Sequence, residues 1–152
     1  MTNTTPPPPY LCLAVGFDGS PPASRALQAA ANLLQGRDGR IEVVYVAHMP
    51  AMAALSAGAV TELEEGFDDI EQELRTMAAE LLGGREVRWS FQRRQGLIAE
   101  ELIGAATDLG AGSPDAIVAI VVGSSSLVRH RVVGSAAVSL ARHSPVPLIV
   151  VP

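Results

Sequence analysis

The sequence predicts an open, parallel α/β sheet of five strands with helices on both faces. Three observations carry that prediction. Leu11 to Val15, Ile41 to Ala47 and Asp115 to Val122 are apolar runs of strand length, as strands buried on both faces should be. Segments with helical spacing lie between them. The resulting order, β-α-β-α-β-α-β-α-β, alternates strictly, and strict alternation calls for crossover connections and parallel strands.

The elements follow in order. Met1 to Pro9, MTNTTPPPP, has neither a basic region nor an apolar centre, so it does not read as a signal peptide. Its proline run predicts an extended, disordered lead-in to one domain spanning residues 10–152. After the first strand, Asp18 or Ser20 is able to cap a helix whose first turn holds Pro21 and Pro22. Ala23, Ala26, Leu27, Ala30 and Leu34 recur at helical spacing, and Gly36 supplies a stop. The second strand is Ile41 to Ala47. His48 to Val60 has no clear period and reads as a loop or a frayed helix start.

Thr61 to Leu82 predicts the clearest helix, with Leu63, Phe67, Ile70, Leu74, Met77 and Leu81 in one stripe. Thr61 and Glu64 have capping-box spacing, and Gly83-Gly84 ends the helix. Val87 to Arg93 alternates apolar and polar residues and predicts an edge strand. Leu97 to Leu109 predicts a helix with Ile98, Leu102, Ala105 and Leu109 inward. Asp115 to Val122 is the fourth strand, Ser135 to His143 a short helix and Pro147 to Val151 the last strand. Leu13, Val44, Val118 and Ile149 are the positions expected to be buried in the sheet. As an apolar strand at the chain end, Pro147 to Val151 is expected at a sheet edge, where pairing with a second copy would cover it.

Composition narrows the function classes. Of 152 residues, 48% are hydrophobic and 18% charged, which argues against disorder in the body of the chain. Sixteen acids outweigh eleven basic residues, for a net charge of -5, against the basic face that nucleic acid favours. No apolar run approaches the roughly 20 residues that span a bilayer. The single cysteine, Cys12, has no internal partner and suits a reducing cytoplasm. His48 and His143 lack partners at metal-ligand spacing. Neither a nucleophile elbow nor a P-loop lysine pattern is present.

Ligands of parallel sheets sit at the carboxyl ends of strands, where the strand order reverses. Two loops occupy such ends: the turn Gly16–Asp18 and the stretch from Gly123 through Ser124, Ser125 and Ser126 to Gly134-Ser135. The second enters a helix, and helix-start N–H groups suit phosphate. The bland reading stands beside this one. Gly16 serves a tight turn, Asp18 caps a helix, Val46 is core, Gly134 and Ser135 begin a helix, and Arg129, His130 and Arg131 lie in a solvated loop.

These features together resemble the universal stress protein family over Tyr10 to Pro152. LAVGFDGS at residues 13–20 is similar to its first strand and Asp turn, and VVYVAH at 43–48 to its second strand. RQGLIAEELI at 94–103 resembles its Gly-then-helix entry, and GSAAVSLARHSPVPLIVV at 134–151 its closing helix and strand. The resemblance implies a three-layer fold of the adenine nucleotide alpha hydrolase type, a homodimer and, in a subset of members, ATP or another adenine nucleotide. It implies that Asp18 meets the ribose or base, that the Val46 backbone meets the adenine edge, and that Gly123, Ser124, Ser126, Gly134 and Ser135 surround the phosphates. The nucleotide-binding subset carries G-x-x-G, about nine residues, then G-[S/T]. Here Ser126 replaces the second glycine and the loop from Leu127 to Val133 is about two residues shorter. Two other classes stay open: an interaction module of the same fold without nucleotide, and a nucleotide-dependent enzyme. No general base with a partner stands out for the enzyme.

Overall fold

A computed structural model describes residues 9–48, 56–124 and 135–152. In chain order these form β1 (Leu11–Gly16), α1 (Pro21–Leu34), β2 (Gly39–Ala47), α2 (Ala57–Leu82), β3 (Arg88–Gln95), α3 (Ile98–Gly112), β4 (Ile117–Gly123), α4 (Ser135–His143) and β5 (Leu148–Val151). All strand pairs are parallel, in the order β3-β2-β1-β4-β5. The expected five-stranded parallel sheet is therefore present. The lead-in at residues 1–8 lies outside the described residues.

The period of two along each strand divides the core in two. Leu13, Val15, Ile41, Val43 and Val121 face α1 and α2, where Leu27, Leu74 and Leu82 meet them. Cys12, Ala14, Val44, Ile120 and Val122 face α3 and α4, against Leu102, Leu109 and Leu140. Leu13, Val44 and Val118 are buried as expected. Ile149 is only half-buried, because β5 is an edge strand with one neighbour, β4. Among the described residues no helix is long and apolar enough to cross a membrane.

Two helices differ from expectation. Helix α2 begins at Ala57, not Thr61, and the Ser56 hydroxyl caps it by accepting the Ala59 N–H at 3.2 Å. Thr61 lies inside the helix and its hydroxyl donates back to the Ala57 carbonyl at 3.1 Å, so it caps nothing. Ala57 to Val60 show no period because that first turn has little to bury. Farther along, α2 is rolled so that Phe67, Leu74, Ala78 and Leu82 point inward, while Ile70 and Met77 remain 41% and 37% exposed. In α3 the inward line is Ala99, Leu102, Ala105, Ala106 and Leu109. Ile98, expected inward, is the first residue of α3 and is 49% exposed.

Strand β3 forms the other sheet edge, as its alternation predicts. Its arginines tie helices to opposite faces. Arg93 reaches Asp68 of α2 at 2.6 Å, and that hydrogen bond is the chief reason its guanidinium is held more firmly protonated than usual. Arg94 donates to the Glu101 carbonyl at 3.2 Å and to Asp108 at 2.5 Å, both on α3. Arg75 of α2 lies 4.8 Å from the Phe91 ring centroid, adding a cation–π contact on the first of these faces.

Leu27→Ala should destabilise the protein by about 2–5 kcal/mol, since Leu27 is fully buried under the sheet. Leu33→Ala, one turn-face away and half exposed, should stay within about 0.5 kcal/mol. Urea denaturation of both variants checks the orientation of α1.

Candidate functional site

The site is built outward from the end of β1. The Phe17 N–H continues the ladder by donating to the Val44 carbonyl at 2.9 Å, and the Phe17 ring is buried on the α1 side. The chain then turns. Asp18 Oδ1 accepts the Ser20 N–H at 2.9 Å, an Asx-type turn. Gly19 has a φ of 78°, a left-handed conformation that favours glycine, and a Cβ there would lie 2.7 Å from Leu74 Cδ2. Ser20 is the helix cap and accepts the Ala23 N–H at 3.3 Å. Of the two candidate caps, Ser20 caps α1 and Asp18 holds Ser20. Asp18 is exposed, and its other oxygen has no hydrogen bond among the described residues.

Gly123 ends β4 beside this turn. A Cβ at Gly123 would collide with the Pro22 carbonyl, so only glycine allows the first turn of α1 to sit this close to the end of β4. Gly16 is more tolerant: a Cβ there would meet Leu102 Cδ1 at 3.2 Å and Val122 Cγ1 at 3.4 Å. In the strand order, β1 and β4 are neighbours where the chain reverses direction across the sheet. A crevice of about 180 Å³ opens there.

Gly16, Asp18, Val46 and Gly123 line this crevice together. Ser135 opens α4, exposed and next to the lining residue Ala136. Ser124 follows Gly123, but its N–H donates to the Val151 carbonyl at 2.8 Å and so serves the β4–β5 ladder. Ser126 and Gly134 lie outside the described residues, as do Arg129, His130 and Arg131. The sequence reading missed Pro22, Ile98 and Leu102 as lining residues. The signal for Ile98 was topological: a helix that follows β3 must begin at the carboxyl edge of the sheet.

Asp18 is the only charged residue among the described lining residues. No group of three or more His, Cys, Asp or Glu suited to a metal exists among the described residues. Cys12 is buried and free, which fits an inert core residue. A larger hollow of about 770 Å³ lies at the opposite pole, by the amino ends of β2 and β3. There Arg37 and Arg85 are offset by Asp38 and Glu86, and the carboxyl ends of α1 and α2 converge.

An open parallel sheet with a crevice at its strand-order reversal defines the class of α/β domains that take ligands at the carboxyl ends of strands. The chain belongs to the universal stress protein family, whose model matches residues 11–152. Among solved structures it is similar to the hypothetical protein MJ0577, with a TM-score of 0.78 at 17% identity over 93% of this chain and 95% of that one. It is similar to a universal stress protein family member from Burkholderia pseudomallei, with a TM-score of 0.65 at 25% identity over 93% and 95% of the two chains. It is also similar to the universal stress protein from Archaeoglobus fulgidus in complex with dAMP, with a TM-score of 0.58 at 17% identity over 95% and 98%. A comparison with curated proteins gives no match.

Gly123→Ala should destabilise the fold by about 1–3 kcal/mol through overpacking against Pro22. Gly16→Ala should cost less, since a Leu102 methyl is able to move aside. Thermal melts of the two variants give the order directly, and the reverse order would contradict the packing described.

Proposed function

We propose that this chain is a cytoplasmic, dimeric stress-response module whose crevice takes an adenine nucleotide. The observation that carries the reading is the convergence of Gly16, Asp18, Val46 and Gly123 on one crevice at the strand-order reversal. The dAMP complex of the Archaeoglobus fulgidus relative supports an adenine nucleotide as the ligand. In this reading the base rests on Val46 and Ile98 and the sugar meets Asp18. The phosphates point toward the start of α4 at Ser135, near Gly123 and Ser124; the family resemblance adds Ser126 and Gly134, which lie outside the described residues. A module of the same fold without nucleotide is favoured by one observation, the engagement of the Ser124 N–H with Val151.

Mass spectrometry of small molecules released from the purified protein should find an adenine nucleotide. Ile98→Asp should lower AMP affinity about tenfold or more, about 1.4 kcal/mol, by placing a charge under the base. Its melting temperature should change little because Ile98 is half exposed. Absence of any nucleotide, with no heat on titration of AMP into folded protein, leaves the nucleotide-free module standing.

The dimer is proposed through β5, which among the described residues has no partner on its outer side and leaves Val150 38% exposed. Light scattering should give a mass near twice 15.8 kDa. A monomer mass that does not change with concentration would overturn the dimer.

A further inference from the structure

We propose that Met77 is an oxidant-responsive modification site: its thioether takes an oxygen from a hydroperoxide, and the sulfoxide loosens the Asp18 turn and weakens ligand binding in the crevice. The effect on ligand rests on the adenine-nucleotide reading above. The modification and its effect on the turn do not.

Two sulfur atoms lie among the described residues, those of Cys12 and Met77. Cys12 is fully buried in the sheet and shielded from solvent. Met77 belongs to the apolar stripe of α2, yet it is 37% exposed. What it packs against is the tip of the turn that carries Asp18. Gly19 has no side chain of its own, and Leu74 and Met77 of α2 fill the space beside it. The point where a Cβ would stand lies 2.7 Å from Leu74 Cδ2, 3.5 Å from Met77 Sδ and 3.6 Å from Met77 Cε. The turn is therefore held on this side by two apolar side chains, one buried and one open to solvent.

The step balances. A sulfur lone pair attacks one peroxide oxygen, the S–O bond forms and the O–O bond breaks. The other oxygen leaves with the proton, as water or an alcohol. Sulfur loses two electrons and the hydroperoxide gains them. A flexible apolar chain has become a polar sulfoxide. Its oxygen is costly to leave without a hydrogen-bond donor in an apolar contact, so it turns toward water. Gly19 then loses one of its two packing partners. It holds a φ of 78° between Asp18 and Ser20, which are joined by one hydrogen bond of 2.9 Å from the Ser20 N–H to Asp18 Oδ1. With that support gone, Asp18 no longer keeps one position at the crevice.

Treatment of the full chain with hydrogen peroxide tests this, with peptide mass spectrometry to follow oxygen at Met77. Oxidised protein should melt about 2 °C or more lower. It should bind AMP about threefold or more weaker. Methionine sulfoxide reductases should reverse both changes. Met77→Leu conserves volume and has no sulfur at this position, so it should keep its melting temperature and AMP affinity through the same treatment. Met77→Gln, polar from the outset, should show both losses without peroxide. Equal losses in the treated Leu variant would place the effect at other residues and overturn the inference. A Met77 that stays unoxidised, or a sulfoxide there that changes neither melting nor AMP affinity, would overturn it as well. Untreated protein that binds no AMP, yet loses stability on oxidation at Met77, would overturn the nucleotide reading and support the modification.

Discussion

The contact between Pro22 and Gly123 is the constraint on which the crevice depends. It joins the start of one helix to the end of a strand more than a hundred residues away. A side chain at Gly123 would push α1 off the sheet, and with it the turn that carries Asp18. Pro22 in turn has a fixed φ that suits the first turn of a helix and needs no donor. Ser20 caps that turn, and Asp18 holds Ser20. Each link restricts the next, so the position of Asp18 follows from the packing of backbone on backbone.

Much of this fold was legible in the sequence, for a physical reason. β1, β2 and β4 are buried on both faces, and their continuous apolar runs leave no other place for them. The alternation of β3 marks an edge for the same reason in reverse. Legibility fails where burial is partial. Ala57 to Val60 are helical but bury little, so nothing in their pattern marks the helix. Ile70, Met77, Ile98 and Ile149 are apolar residues at helix flanks, a helix start and an edge strand, where apolar character no longer reports direction.

The crevice divides along the same line. Gly16, Asp18 and Gly123 were legible as crevice residues because they sit at strand ends, and topology brings strand ends together; Val46 read as core, and its place in the site came from the family resemblance. Pro22, Ile98 and Leu102 come from helices, and their part in the lining depends on how each helix is rolled and how far it projects. The hydrogen-bond duty of the Ser124 N–H could not be read from sequence. It depends on the register of β5 against β4, which places Val151 beside Gly123.

The two edges of the sheet are unlike. Along β3, Arg88, Arg93 and Arg94 crowd the strand with charge, and two of them are committed to helices on opposite faces. Charged edge strands resist the addition of another strand. β5 is short and apolar, with no such guard among the described residues. A sheet open on one side only is a chain terminator as well as an adhesive: once the open edge is covered by its own copy, both free ends of the joined sheet are guarded ones. In the proposed pair, growth would then stop and could not run on into a fibre.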